Sequence, residues 1–256
     1  MNMQMNVKYA EQYSNNAQKI RVMTEAWVTE NMFCPCCGNK FISHFENNRP
    51  VADFFCPLCD EEYELKSKSA AISNKVTDGA YNTMIERITS TNNPNFFFMH
   101  YSKSNLTVRN FVMVPKYFFT PEIIEKRKPL TNIAKRAGWT GCNILLNQVP
   151  VEGRIFIIQN ERELPVRQII DKVHRTEFLR NSKLDVRGWT LDVMNCINKF
   201  ENSMFTLEQM YKFEQILSIK HPENHHVRDK IRQQLQVLRD NGIIEFVGRG
   251  HYRKIQ

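Results

Sequence analysis

The sequence lacks any hydrophobic run that is long enough to cross a membrane. Its longest apolar runs, Phe96–Met99 and Ile155–Ile158, have the length of β-strands, whereas a transmembrane helix needs about 20 apolar residues. The first residues, Met1 to Gln4, contain no apolar stretch typical of a signal peptide, and no internal repeat or low-complexity tract follows. We therefore expect a globular cytoplasmic protein in a reducing compartment, with no membrane partner.

Acidic residues are too few to balance the basic ones. The 256 residues include 35 Lys and Arg but 27 Asp and Glu, which gives a formal net charge of +8. A basic surface favours a polyanion such as nucleic acid as the partner. With 42% apolar and 24% charged residues, the chain has the composition of a globular protein, and its length suits one large domain or two modest ones.

Four of the seven cysteines form two Cys-x₂-Cys pairs. Cys34 and Cys37 form the first pair, Cys56 and Cys59 form the second, and eighteen residues separate the pairs. This spacing is typical of a structural zinc site with four thiolate ligands. Cys36 is a competing ligand, but a Cys-x-Cys pair fits a tetrahedral site less well. A disulfide or a redox-active pair is the alternative, which a reducing compartment disfavours.

Two carboxylates and a lysine flank the second cysteine pair. On an extended strand Glu64 and Lys66 would share one face, because side chains two apart point the same way. If the cysteine pair forms the turn of an antiparallel hairpin centred between Leu58 and Cys59, then Asp53 lies opposite Glu64. The three side chains would converge on one point. The alternative is a solvated strand face without a function.

Such a convergence indicates metal-assisted phosphodiester hydrolysis. Asp53 and Glu64 supply the carboxylate ligands that Mg²⁺ prefers, and Lys66 would orient and help to deprotonate an attacking water. Zinc at the tip of the hairpin would fix its register. We therefore expect a structural Zn²⁺ that is separate from the catalytic Mg²⁺.

Hydrophobic periodicity predicts an α/β architecture in the first two thirds of the chain. The predicted elements are helices at residues 7–30 and 77–90 and strands at residues 95–101, 108–114 and 154–159. The helices show apolar residues every three or four positions, and the strands are rich in β-formers. Helices and strands in this order favour an α/β sandwich.

The pattern changes near residues 182–188, where a second domain is predicted to begin. Its predicted elements are helices at residues 189–200, 207–217 and 226–241 and a strand pair about a Gly-Arg-Gly turn at residues 248–250. This is the element order of a winged helix-turn-helix. From Val227 onward the chain has seven Lys and Arg against three Asp and Glu, which favours DNA as the partner.

The third helix of this domain carries candidate base-reading side chains. If Ile231, Leu235 and Leu238 face the core, the opposite face presents Arg and Gln, which form bidentate contacts with base edges. The candidate base readers are Arg228, Arg232, Gln233 and Gln236, and the candidate phosphate ligands of the wing are Arg249, Arg253 and Lys254. The alternative is a solvated helix face in a protein-interaction module.

With these elements placed, the chain resembles the DpnI-type restriction endonucleases, methyl-directed enzymes of the PD-(D/E)xK nuclease superfamily, over nearly its whole length. The resemblance is densest in the runs NNRPVADF (47–54), ELKSK (64–68), DGAY (78–81), NNPNFFF (92–98), RAGW (136–139) and KIRQQLQVLRD (230–240). Runs of this length are more specific than the catalytic triplet alone.

The resemblance implies a PD-(D/E)xK nuclease sandwich with an inserted four-Cys zinc site over residues 1–182. It implies a winged helix-turn-helix domain over residues 183–256, and double-stranded DNA with adenine-methylated GATC as the target of both domains. By the same resemblance, Asp53, Glu64 and Lys66 are catalytic, Asp53 and Glu64 bind Mg²⁺, and the four paired cysteines bind Zn²⁺. We expect the protein to be a monomer.

Reading the methyl group requires a desolvated apolar pocket, because N6-methyladenine adds an apolar group in the major groove. Trp139, in a basic segment that contains glycine, is the candidate in the first domain. A tryptophan of the core is the alternative interpretation. Trp189 begins a helix and is predicted to pack inside the second domain.

Three functions compete at this point. The leading hypothesis is a methylation-dependent type II restriction endonuclease, a site-specific deoxyribonuclease. The alternatives are a zinc-stabilised winged-helix regulator without catalysis, and a nuclease that acts on damaged or structured nucleic acid. Asp53, Glu64 and Lys66 disfavour the regulator, because a protein that only binds DNA has no need of them.

Overall fold

The computed structural model of the protein describes residues 1–46, 52–72, 74–90 and 92–255. These residues form two compact units, one of residues 1–147 and 153–174 and the other of residues 148–152 and 175–256. Across the described ranges, no helix is both long and apolar enough for a membrane span. Part of the first run that carries the resemblance, residues 47–51, lies outside the described residues.

The first unit contains ten strands and three α-helices among its described residues. The strands are β1 (Ser43–His44), β2 (Phe54–Phe55), β3 (Glu62–Lys68), β4 (Lys75–Ala80), β5 (Asn95–Tyr101), β6 (Val108–Val114), β7 (Ile124–Lys126), β8 (Gly141–Leu145), β9 (Ile155–Gln159) and β10 (Arg162–Glu163). The helices are α1 (Asn16–Asn31), α2 (Tyr81–Thr89) and α3 (Val166–Arg175), and short 3₁₀ turns lie at Val7–Ala10, Lys116–Phe118 and Pro121–Ile123. Two further 3₁₀ turns, Leu146–Gln148 and Val151–Gly153, lie at the boundaries between the units, and Glu177–Leu179 belongs to the second unit.

Two sheets organise these strands. The main sheet has the order β1-β2-β3-β5-β6-β9-β10, and the smaller sheet has the order β4-β8-β7. Strands β3 and β5 are parallel, and the other neighbours in both sheets are antiparallel. The parallel pair is joined by a crossover that contains β4 and α2, as parallel pairing requires.

Helix α1 and the main sheet enclose the core of this unit. Trp27 is 2% exposed, and its ring centroid lies 5.6 Å from that of Phe111 on β6. Alternation along β5 points Phe97 into this core and Phe96 to the other face of the sheet, where Phe96 meets Phe119 at 4.4 Å. Burying aromatic surface on both faces makes the sheet a rigid support for the ends of its strands.

Two helices predicted in the first domain are shorter in the structure. The helix predicted at residues 7–30 begins only at Asn16, because the side chain of Asn15 caps it by accepting the N–H of Ala17 at 2.8 Å. The helix predicted at residues 77–90 begins at Tyr81, and Lys75–Ala80 form a strand that pairs with β8. The predicted strands at residues 95–101 and 108–114 are confirmed, and the third is Ile155–Gln159.

The second unit has the order of a winged helix-turn-helix. Its elements are α4 (Leu184–Asn198), β11 (Met204–Thr206), α5 (Leu207–Tyr211), α6 (Glu214–Lys220), α7 (Val227–Asp240), β12 (Ile244–Gly248) and β13 (His251–Lys254), and the strands pair in the order β11-β13-β12. The second predicted helix is divided into α5 and α6, because the chain leaves helical geometry at Lys212 and Phe213. Thr206 begins α5 with a complete capping box to Gln209.

The packing predicted for the second unit is confirmed. Ile231, Leu235 and Leu238 of α7 are all fully buried, and Trp189 is 6% exposed. Trp189 stacks on the imidazole of His221 with a centroid distance of 3.9 Å. The mixed α/β fold, with a helix-turn-helix at its carboxyl end, therefore agrees with the predicted class.

Candidate active site and four-cysteine centre

The hairpin that carries the candidate catalytic residues has the predicted register. Strand β2 pairs with β3 through Phe54↔Tyr63 and Phe55↔Glu62. One step further along this ladder, Asp53 stands opposite Glu64, and the N–H of Asp53 donates to the carbonyl of Tyr63 at 2.9 Å. Both carboxylates therefore lie at the open end of the hairpin, away from its cysteine turn.

The side chain of Asp53 is fixed by the backbone of the opposite strand. Its Oδ2 accepts the N–H of Leu65 at 2.7 Å. Burial raises the pKa of Asp53, and this hydrogen bond and the nearby charge of Lys66 offset the shift only in part. This half-buried carboxylate has too little positive charge around it to balance its burial, so the site is suited to accept a cation.

Glu64 and Lys66 share one face of β3, as predicted. The Nζ of Lys66 lies 2.5 Å from Oε1 of Glu64, and Arg87 on α2 forms an ion pair with Oε2 of the same carboxylate. Tyr63 points to the opposite face, where it is fully buried and stacked on Phe97 at 4.6 Å. The alternation of the strand therefore separates the polar site from the core.

Burial and neighbouring charges shift the pKa values of Glu64 and Lys66 in opposite directions. Burial raises the pKa of Glu64, and the charges of Lys66 and Arg87 act against this shift. For Lys66 the burial would lower the pKa, but the negative charges of Glu64 and Asp78 raise it above its usual range. Lys66 is therefore a charged ammonium near neutral pH in this structure.

Two acidic neighbours of this site were missed by the sequence analysis. Asp78 on β4 forms an ion pair with Lys66, and its strand had been predicted as part of a helix. Glu25 on α1 is held by Arg21 at 2.7 Å and by His44 at 3.5 Å, and its charge contributes to the raised pKa of Asp53. No local pattern distinguishes Glu25 from an ordinary helix-surface glutamate.

The two cysteine pairs meet in one cluster. The Sγ atoms of Cys34, Cys37, Cys56 and Cys59 all lie within 4.8 Å of one another. The separations from Cys34 to Cys59 and from Cys37 to Cys56 are both 3.6 Å, close to the edge of about 3.8 Å expected for a tetrahedron of thiolates around zinc. Cys36 does not belong to the cluster, and all seven cysteines are free of disulfides.

The cysteine centre is connected to the candidate catalytic strand through Tyr63. Tyr63 directly precedes Glu64 on β3. Its phenol oxygen lies 3.0 Å from Sγ of Cys34. Hydrogen bonding from Cys36, and further hydrogen bonds that include the Tyr63 hydroxyl, lower the pKa of Cys34 to about 4. The low pKa favours the thiolate of Cys34, whereas burial raises the pKa of Cys37 and of Cys59. The closeness of the four sulfurs is what fits a zinc ion at the hairpin tip.

Trp139 lies on a basic loop of the first unit. The loop is closed where the N–H of Leu130 donates to the carbonyl of Trp139 at 2.9 Å, and Lys135 and Arg136 on it are exposed. The indole is half-buried and packs over Gly141, whose missing Cβ leaves room for the ring, since Cη2 lies 2.8 Å from that position. The ring is thus supported by β8 without being part of the buried core.

The candidate base readers on α7 share an exposed face. They are Arg228, Arg232, Gln233 and Gln236. In this structure Arg228 pairs with Glu214 at 2.7 Å, and Arg232 contacts Asp229 and the hydroxyl of Tyr211. If the two arginines read bases, they would exchange these exposed contacts for base edges, which surface ion pairs permit at small cost.

Two of the three candidate phosphate ligands of the wing are exposed, and the third contacts its own domain. Arg249 and Arg253 are exposed, and Arg253 pairs with Glu245 at 2.8 Å. The ammonium of Lys254 instead donates to the carbonyl of Phe200. Among the three cations, Lys254 is therefore the one turned toward its own domain.

Two family models match this chain. The model of the Dam-replacing family, DpnI, matches residues 1–182, and the model of the Dam-replacing HTH domain, DpnI_C, matches residues 185–254. The first match contains both the hairpin with its carboxylates and the four-cysteine cluster. The second match contains α4 from Asp185 onward, the whole of α7 and both strands of the wing.

Proposed function

The chain belongs to the Dam-replacing family of DpnI-type restriction enzymes, and from this we propose that it is a type II endonuclease that cleaves double-stranded DNA at adenine-methylated GATC. The observation that carries the proposal is the convergence of Asp53, Glu64 and Lys66 at the open end of one hairpin. A winged-helix regulator would have no use for two half-buried carboxylates with raised pKa values on opposite strands of one hairpin.

We assign the catalytic roles from the contacts of each side chain. Asp53 and Glu64 would hold Mg²⁺, which supplies charge stabilisation at the scissile phosphate when it is bound. Lys66, charged in its present surroundings, donates hydrogen bonds that orient the attacking water and balance the charge that develops at phosphorus.

The four-cysteine cluster has a structural role in this proposal. Four thiolates leave no open coordination position, so zinc held there would not take part in hydrolysis. Cys56 and Cys59 stand in the turn between Asp53 and Glu64, so their ligation fixes the distance between the two strands. The division proposed between residues 1–182 and 183–256 assigns this centre to the nuclease domain.

Both domains would contact DNA. The exposed face of α7 would enter the major groove, with Gln233 and Gln236 beside the two arginines, and Arg249 and Arg253 would bind phosphates. Trp139 would contact the methyl group from the basic loop of the nuclease domain. We propose that the protein acts as a monomer in the cytoplasm.

A base-reading role for Gln233 predicts a loss that depends on sequence. In an Asp53→Ala background, Gln233→Ala should weaken binding to the methylated site by about 1–3 kcal/mol and relax sequence choice. Arg249→Ala should instead weaken binding to all duplexes and flatten the salt dependence. Fluorescence anisotropy with methylated, unmethylated and scrambled duplexes at two salt concentrations measures both effects. Equal losses on all three duplexes for Gln233→Ala would exclude base reading by this residue.

The proposed activity is tested by digestion of one plasmid from two hosts. DNA from an adenine-methylating host should be cut in the presence of Mg²⁺, whereas DNA from a non-methylating host should stay intact. Cutting of both preparations would favour a nuclease for damaged or structured nucleic acid. Binding without cutting of either would favour the regulator.

A further inference from the structure

A third carboxylate enters the candidate active site from the second sheet. Asp78 lies on β4, and its side chain is 8% exposed. Its Oδ1 accepts both the ammonium of Lys66 and the N–H of Gly79, the latter at 2.7 Å. Its Oδ2 is buried and has no hydrogen-bond partner among the residues that the structure describes. Lys66 is therefore the positive charge that compensates this buried carboxylate.

The backbone of β4 is shaped to deliver this side chain. The ladder between β4 and β8 pairs Asp78 with Cys142 and Ala80 with Gly141, so the register shifts by one residue at Gly79. A β-bulge of this kind bends the strand and redirects the neighbouring side chain, and such bulges are frequent next to active sites. The smaller sheet thus directs Asp78 toward a lysine on the main sheet.

Glu64 and Asp78 both pair with Lys66, but they differ in their other contacts. Glu64 contacts Lys66 through Oε1 and Arg87 through Oε2, and it is also a proposed ligand of Mg²⁺. If Glu64 coordinated a divalent cation, its carboxylate would attract the ammonium of Lys66 less strongly. Asp78 would then be the remaining anionic partner of Lys66.

We propose that Asp78 is a positioning residue for DNA cleavage, which anchors the ammonium of Lys66 while Glu64 serves the metal. This inference rests on the proposed nuclease function. Asp78 does not contact DNA or metal in this account and acts on the reaction only through Lys66. Its loss should therefore reduce the rate of the chemical step and leave both DNA affinity and the Mg²⁺ requirement unchanged.

The test is single-turnover cleavage of a methylated duplex by the full chain, with Mg²⁺ titrated. Asp78→Asn, which keeps the shape and an acceptor for Gly79, should lower the saturated rate about 10–100-fold, the usual cost of removing an orienting partner. Asp78→Glu, which keeps the charge, should cleave faster than Asp78→Asn. Glu125→Gln is the matched control, because it neutralises a carboxylate of the same sheet that pairs with Lys75 instead.

Each other outcome overturns the proposal. A rate for Asp78→Asn equal to the wild-type rate excludes positioning by Asp78. An increased Mg²⁺ requirement would make Asp78 a metal ligand, and a weaker affinity for the duplex or an equal loss in Glu125→Gln would make it structural. If Asp78→Asn fails to fold, Asp78→Ser, which also removes the charge, decides, since a saturated rate like that of the wild type would exclude positioning by Asp78. A wild-type chain that cuts no methylated duplex would overturn the proposed function as well, which distinguishes the two failures.

Discussion

Replacing Asp53 by alanine should abolish cleavage of methylated DNA. The carboxylate is one of two proposed Mg²⁺ ligands, and its position is fixed by the N–H of Leu65, so no other described side chain of the hairpin can take its place. We expect a loss of at least about 10²–10³-fold in the single-turnover rate, the range typical of removing one group that stabilises transition-state charge. Glu64→Ala and Lys66→Ala should have losses of similar size.

DNA binding should largely survive these substitutions, since the contacts proposed to position the duplex involve other residues. Anisotropy without Mg²⁺ measures the affinity, and circular dichroism checks the fold. Asp171→Ala, at an exposed position on α3, is the control for loss of an acidic residue of the same unit. Full activity in Asp53→Ala would show that the site has been assigned to the wrong residues.

Loss of the four-cysteine centre should reduce DNA cleavage as strongly as Asp53→Ala does. The cause would differ, because the hairpin would unfold. Cys56→Ser or Cys59→Ser removes a proposed zinc ligand from the turn between Asp53 and Glu64. The free energy of zinc binding in small sites of this kind, about 10–16 kcal/mol, is coupled directly to folding. We expect these variants to lose bound zinc, to melt at a lower temperature and to cleave no DNA. Metal analysis, thermal unfolding and cleavage of the same preparations test the three effects together.

Cys36→Ser is the matched control for the zinc prediction. Cys36 lies between two of the proposed ligands, yet it stands outside the cluster of four sulfurs. Its replacement should leave the zinc content and the cleavage rate close to those of the wild type. Active protein without zinc, or a Cys36→Ser variant that behaves like Cys37→Ser, would contradict the assignment of the ligands.

The sequence predicted the hairpin well because the information is local. The spacing of two cysteine pairs and the alternation along one strand are sufficient to place Asp53 opposite Glu64, and the observed pairing of Phe54 with Tyr63 confirms that register. Turn position and strand period determine such a ladder with little help from the rest of the chain. The buried face of α7 was predicted for the same reason, since helical period alone identifies Ile231, Leu235 and Leu238.

Asp78 was missed because its position depends on distant parts of the chain. Residues 77–80 have apolar neighbours at helical spacing, but Gly79 is a poor helix former, and pairing with Gly141–Leu145 makes the segment a strand. The partner strand begins more than sixty residues later, so no window of the sequence contains both. Long-range pairing of this kind overrides local propensity.

The contacts of the basic residues were equally unpredictable from the sequence. Charge and helical period identified the exposed face of α7, but they gave no sign that Arg228 would pair with Glu214 or Arg232 with Asp229. The contact of Lys254 with the carbonyl of Phe200 also depends on how the wing folds back. Long flexible side chains select their partners only after the backbone is in place.

Cleavage of two duplexes that differ only in the N6-methyl groups of one GATC site tests the central claim most directly. With Mg²⁺, the wild-type chain should cut the methylated duplex, leave the unmethylated one intact, and cut neither when Asp53 is replaced by alanine. Cleavage of both duplexes at the same rate, or cleavage that persists in Asp53→Ala, would contradict the account.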